Sequence, residues 1–225
     1  MIEVEVRNFM RVGILGGTFN PIHLAHLRIA EEVRDRFNLE EVIFVPAATP
    51  PHKTLAGDLP FISRLEMVKL AIAGNPAFSV SDIEGKRQGA SYSIDTVRIF
   101  RQERPGDELF FIIGSDSFID FGSWREFASF FSCCNIVVVE RPNAAVTALD
   151  KVLPVAIAGQ FCYHAAEKRL AHQSGYSVYY LEGTPLPVSS SSIRELVGLG
   201  HSARYLVPEP VEQYIKEQRL YANAR

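Results

Sequence analysis

Cysteine is scarce in this 225-residue chain: Cys133 and Cys134 are adjacent and Cys162 stands apart. An odd total without a CxxC pair excludes a disulfide framework and the usual zinc or dithiol motifs, and reads as reduced thiols in a cytoplasmic protein. Apolar runs such as Ile136–Val139 fall far short of the ~20 residues a helix needs to cross a bilayer. The first residues, MIEVEVRNFM, carry acids early and lack the apolar core of a signal peptide. No membrane partner is expected. Charge of one sign is also lacking: 23 basic against 26 acidic residues leave a net −3. That balance gives no support to a nucleic-acid-binding surface. The chain contains neither a GxGxxG nor a GxxxxGK[ST] loop after its first apolar run, which disfavours dinucleotide redox and Walker-type hydrolysis.

What is present is 47% apolar residues arranged in alternating strand-length and helix-length segments. Val12–Leu15, Val42–Val45, Phe78–Ile83, Leu109–Ile113, Asn135–Val139 and Ser177–Leu181 read as strands. Helical spacing runs from about His23 to Phe37, Ser63 to Ala73 and Ile94 to Phe100. Further helices are expected at Ser190–Leu199 and Glu209–Gln218, and Ala144–Ser174 looks mainly helical. Several strands are apolar on both faces, as in a parallel sheet covered on each side. The expectation is an α/β, doubly wound, Rossmann-like parallel sheet with helices on both faces. No linker marks a boundary, so residues 1–225 read as one domain. Residues 1–9 form a short N-terminal extension, with Met10 an alternative start.

Two segments far apart in the chain carry candidate chemistry. The first strand runs into Gly16-Gly17-Thr18-Phe19-Asn20-Pro21-Ile22-His23-Leu24-Ala25-His26. Two glycines at a strand-to-helix turn allow close approach of a ligand to backbone, and a helix N-terminus favours anions. His23 and His26, three apart, share one helix face and can donate to phosphate oxygens. An isolated HxxH more often pairs one partly buried with one surface histidine. A metal site lacks the usual spacing and a third ligand. The second segment is Val188-Ser189-Ser190-Ser191-Ser192-Ile193-Arg194, where serines can cap a helix whose arginine sits one turn in. Alone it is a capped surface helix; with the first it can grip a polyphosphate.

Gly16–His26 resembles the GGTFxPxHxGH signature of the nucleotidyltransferase superfamily, and Val188–Arg194 its ISSTxIR signature. Between them stand Pro50-Pro51-His52-Lys53, Arg64–Met67, Ser91-Tyr92-Ser93-Ile94-Asp95-Thr96, Gly114-Ser115-Asp116-Ser117, Trp124 and Glu140-Arg141-Pro142. In this order the series resembles bacterial nicotinate-nucleotide adenylyltransferases from about Met10 to Tyr221. Ala25 stands where the signature has glycine, which puts a methyl group on the helix where the resemblance implies that the ligand approaches.

The resemblance implies transfer of AMP from ATP to nicotinate mononucleotide, with Mg²⁺ carried by ATP and no protein metal site. It assigns His23, His26 and Arg194 to catalysis. Gly16, Gly17, Thr18, Phe19, Asn20, Gly114, Asp116, Ser189, Ser190 and Ser191 would bind ATP. His52, Lys53, Ser91, Ser93, Asp116, Trp124 and Arg125 would bind the acceptor. Other readings are an adenylyltransferase preferring the amide mononucleotide (NMN) or phosphopantetheine, or a non-catalytic nucleotide sensor. Monomer and homo-oligomer both fit.

Overall fold

The computed structural model describes residues 9–50, 59–141 and 149–222. In chain order the elements are β1 (Arg11–Gly17), α1 (Leu24–Phe37), β2 (Glu41–Pro46), α2 (Phe61–Ile72), β3 (Phe78–Val80), α3 (Ser93–Glu103), β4 (Glu108–Gly114), α4 (Ser115–Ile119), α5 (Phe127–Phe130), β5 (Asn135–Val139), α6 (Val155–Ala158), β6 (Phe161–His164), β7 (Arg169–His172), β8 (Ser177–Leu181), α7 (Ser190–Gly198) and α8 (Glu209–Glu217). The strands form one sheet in the order β3-β2-β1-β4-β5-β8-β7-β6. Pairings from β3 through β8 are parallel, and those of β8 with β7 and β7 with β6 are antiparallel. The parallel core and its covering helices match the doubly wound expectation. No helix of the described residues is long and apolar enough to cross a membrane.

Alternation along each central strand builds the two layers. From β1 and β4, Val12, Ile14, Leu109, Phe111 and Ile113 point to one core, closed by Ile94, Val97 and Phe100 of α3 and Phe130 of α5. Leu15, Phe110 and Ile112 point to the other, closed by Ala30 and Val33 of α1, Met67 and Val68 of α2, Ile193 of α7, and Val211 and Ile215 of α8. Apolar burial at roughly 25 cal/mol per Å² drives both layers together. Chain order reverses between β1 and β4. Loops leaving the carboxyl ends of those two strands therefore diverge to opposite faces and leave a crevice, where α/β sheets bind ligands.

Two expectations are corrected. The segment from 144 is not mainly helical: from Leu149 onward it holds a 3₁₀ turn at Leu149–Lys151, the single-turn α6, and the β6–β7 hairpin. Residues 142–148 lie outside the described part. Ala165-Ala166-Glu167-Lys168 has helix-favouring composition but forms only the hairpin turn, with Lys168 left-handed at φ 47. The strands beside it have four residues each, too short for a two-residue period to register. The third strand also stops at Val80 rather than Ile83.

Asn135 of β5 ties β4 to β8, the strand against which the hairpin pairs. Its Oδ1 accepts from the Ser177 backbone N–H at 2.9 Å, and its Nδ2 donates to Glu108 at 2.8 Å. Ser177 is buried, so removing the acceptor strands a donor away from water. Asn135→Ala should therefore cost about 1–3 kcal/mol of stability, read from the urea midpoint at unchanged slope. A midpoint equal to that of the unsubstituted protein would show that water replaces the amide.

Candidate active site

A cavity of about 730 Å³ opens at the crevice between β1 and β4. Its lining includes Gly16, Gly17, Thr18, Phe19 and Asn20 from the first loop, His26 of α1, and Ser190, Ser191 and Arg194 of α7. Ser91, Tyr92, Ser93 and Ile94 line it from the start of α3, and Gly114, Asp116, Trp124, Arg125 and Arg141 from the loops after β4 and β5. Most of the expected residues thus share one cleft. His52 and Lys53 lie outside the described residues.

The first loop is shaped by its own side chains. Phe19 adopts φ 49 and is 1% exposed. Its ring folds back so that a Cβ on Gly17 would meet it at 2.9 Å, which is why glycine is needed there. Arg64 of α2 is buried and donates to the Thr18 carbonyl at 2.7 Å and to that of Leu59 at 3.3 Å. Its guanidinium holds the loop from behind with hydrogen bonds to backbone oxygens.

At the head of α1 the two histidines play unequal parts. His23 is the N-cap, 2% exposed, and does not line the cleft; His26, one turn in, does. Their rings stack at 3.7 Å between centroids. Burial first, and the Arg141 guanidinium second, push the His23 imidazole down to about 3. Burial, then His23, then Arg141 push His26 well below the usual histidine range. Both rings are therefore neutral near pH 7. His26 Nδ1 accepts from the His23 backbone N–H at 3.2 Å, so the neutral ring carries its proton on Nε2. Ala25 is buried and absent from the cleft lining.

The head of α7 is capped as its serines suggest. Ser189 accepts from the Ser192 backbone N–H at 3.1 Å, and Ser192 Oγ accepts from the Ser189 N–H at 3.3 Å, a reciprocal cap. Ser189, expected to bind ATP, is thereby committed to the helix, while Ser190 and Ser191 turn to the cleft. Arg194 donates to the Asn20 carbonyl at 2.8 Å and to Ser191 Oγ at 3.2 Å. Ser190 Oγ donates to the Pro21 carbonyl at 2.9 Å. The two signatures are one site.

On the opposite side, Ser91 Oγ accepts from the backbone N–H groups of Ala48 at 3.1 Å and Thr49 at 3.0 Å. This expected substrate residue lines the cleft while its oxygen accepts from the loop after β2. Ser93 opens α3, whose first amides have no carbonyl of their own helix to bond. The Arg125 guanidinium lies 4.6 Å from the Tyr92 ring centroid, a cation–π distance. Trp124 packs edge-on against Phe111 at 6.3 Å and at a tilt against Phe121 at 5.2 Å, which fixes its indole at the cleft wall.

Sequence reasoning quoted Arg141 without giving it a role. It lines the cleft, its Nε is buried without a hydrogen-bond partner among the described residues, and its charge reaches both histidines. A Cβ on Gly114 would meet Arg141 Nε at 2.9 Å and Asp116 Oδ1 at 2.5 Å, so glycine lets both side chains cross there. The signal available in sequence is an arginine two residues past an apolar strand, beside Glu140, which is weak.

The lowered histidines make stability depend on pH with a definite sign. Below about pH 6.5 the unfolded chain binds protons on these rings that the folded chain refuses, so stability falls as pH drops. His23→Asn should flatten the loss of urea stability between about pH 6.5 and 5. His172, also lowered by burial, keeps part of the slope in that variant. An undiminished slope would show that His23 titrates alike in both states.

A cytidylyltransferase-like family profile matches residues 14–196. A protein of Geobacter metallireducens named "Probable nicotinate-nucleotide adenylyltransferase" is 69% identical over 216 residues, covering 96% of this chain and all of the relative. One of the same name from Geobacter sulfurreducens is 63% identical over 214 residues, covering 95% and 99%. The fold resembles Plasmodium falciparum nicotinic acid mononucleotide adenylyltransferase complexed with NaAD, with TM-score 0.72, 19% identity, and 94% of this chain and 97% of that one covered. With a match over most of its length and relatives this similar, the chain belongs to the cytidylyltransferase-like family.

Proposed function

We propose that this protein is a nicotinate-nucleotide adenylyltransferase. It transfers AMP from ATP to nicotinate mononucleotide, giving nicotinate adenine dinucleotide and pyrophosphate for NAD biosynthesis. The observation that carries the reading is the junction of Arg194 and Ser190 with the carbonyls of Asn20 and Pro21. It gathers a glycine loop, two helix N-termini and a guanidinium in one cleft, a donor set suited to a triphosphate.

An oxygen of the mononucleotide 5′-phosphate attacks the α-phosphorus of ATP; the bond from that phosphorus to the bridging oxygen breaks, and pyrophosphate leaves. The attacking oxygen is already ionised at neutral pH, so no protein base is required. Catalysis is positioning together with stabilisation of charge on the phosphates. His26 Nε2–H, Thr18 and the loop amides serve the α-phosphate side, with His23 stacked behind His26 to hold its ring. The Ser190 backbone N–H, Ser191 and Arg194 serve the outer phosphates, and Arg141 adds positive charge beside both histidines. ATP would enter with a divalent cation such as Mg²⁺, which would supply neutralisation of phosphate charge. Among the described residues no cluster of three or more His, Cys, Asp or Glu is arranged to hold an ion.

The pyridine ring of the acceptor lies against Trp124, and its carboxylate meets the first amides of α3 at Ser93 and Ile94, with Arg125 nearby. Charge-assisted bonds to a carboxylate are roughly twice as strong as bonds to a neutral amide. NMN would also turn an NH₂ donor toward those same donors and leave them unpaired.

Pyrophosphate release with ATP and nicotinate mononucleotide, NMN or phosphopantetheine in parallel tests the reading. The specificity constant for nicotinate mononucleotide should exceed that for NMN by at least about tenfold, or about 1.4 kcal/mol. Release with none of the three would favour a nucleotide sensor. His26→Ala should lower turnover by ~10²–10³, the cost of one preorganised donor to developing charge. Trp124→Ala should raise KM for the acceptor and leave that for ATP nearly unchanged. Equal rises for both substrates would mark the indole as a packing group.

A further inference from the structure

The end of the chain reaches the phosphate site. Tyr221, in the turn after α8, donates its hydroxyl to Asn20 Oδ1 at 2.6 Å across 201 positions. Asn20 is 4% exposed, and its backbone carbonyl receives Arg194. Side chain and carbonyl of one buried asparagine are thus gripped by two different segments, one of which carries the phosphate-binding guanidinium. The same C-terminal segment touches the site a second time: the Leu24 backbone N–H, the first amide of α1, donates to the Leu206 carbonyl at 3.0 Å.

This segment is firmly seated. Val211 and Ile215 of α8 are buried in the second core, and Leu220 and Tyr221 pack against it. Glu212, also buried, pairs with Lys216 at 2.7 Å and accepts from Ser202 at 3.2 Å. The phenol is therefore delivered to Asn20 by a rigid mount.

We propose that Tyr221 is a positioning residue for ATP. By fixing the Asn20 side chain it fixes the carbonyl that aims Arg194, so the C-terminal turn sets the geometry of the outer-phosphate grip without touching the nucleotide. The inference rests on the assignment of Arg194 to the ATP phosphates.

Tyr221→Phe deletes only the hydroxyl and keeps the ring in its packing. One hydrogen bond of this kind corresponds to about threefold to tenfold in affinity, so KM for ATP should rise by that factor. KM for nicotinate mononucleotide should stay within about twofold. Tyr214→Phe, which alters a phenol on α8 packed against the second core but away from Asn20, should leave both constants unchanged. In an Arg194→Lys background the Tyr221→Phe factor should shrink toward one, because the phenol acts through the guanidinium. An unchanged KM for ATP in Tyr221→Phe, equal rises for both substrates, or a full factor in the Arg194→Lys background would each overturn the proposal. Absence of pyrophosphate release by the unsubstituted protein would instead overturn the adenylyltransferase reading on which it rests.

Discussion

Two peptide carbonyls hold the two halves of the candidate site together. Asn20 and Pro21 accept from Arg194 and Ser190 across 174 and 169 positions. The contact joins a loop leaving the first strand to a helix entered after the last. Each half alone is an ordinary object, a glycine turn or a serine-capped helix. Joined, they face donors of different kinds toward one volume: amides, an imidazole N–H, hydroxyls and a guanidinium. The sheet makes the meeting possible, because the reversal of chain order between β1 and β4 opens the crevice at which both helices begin.

Neutrality of the histidines follows from the same crowding. Stacked rings beside Arg141, with His23 2% exposed, cannot carry charge cheaply. The consequence is chemical as well as structural. A neutral His26 whose Nδ1 is occupied by its own helix backbone has one defined donor, Nε2–H, so the tautomer is fixed before substrate arrives. Preorganisation of that kind costs nothing at the moment of reaction. The glycines serve it too: Gly17 makes room for the Phe19 ring, which in turn meets His26 edge-on at 5.0 Å.

Much of this was legible in the sequence, for physical reasons that can be named. Buried parallel strands announce themselves as unbroken apolar runs, and α1, α3 and α8 keep a periodic apolar face, so the Rossmann-like layout could be read directly. Gly16–Asn20, His26, Ser190, Ser191 and Arg194 stand out in the sequence through the two signatures, and the structure places them on one cleft. What could not be read depends on partners distant in the chain. The hold of Ser91 Oγ on the loop at Ala48–Thr49 depends on residues more than forty positions away. Which of the four serines caps the helix is settled by geometry, and it is Ser189, bonded to Ser192. Tyr221 is one aromatic in a C-terminal turn until it meets Asn20. The β6–β7 hairpin was missed because short strands flanking a helix-favouring turn leave no period to detect.

The central claim is that these donors act on a triphosphate to move its adenylyl group. The most direct measurement uses ATP labelled at the α-phosphorus, incubated with nicotinate mononucleotide and the unsubstituted protein, with the products separated. The account predicts one labelled dinucleotide and unlabelled pyrophosphate in equal amounts, formed together. Label released as free AMP, or orthophosphate appearing from the γ-position with no dinucleotide, would contradict it.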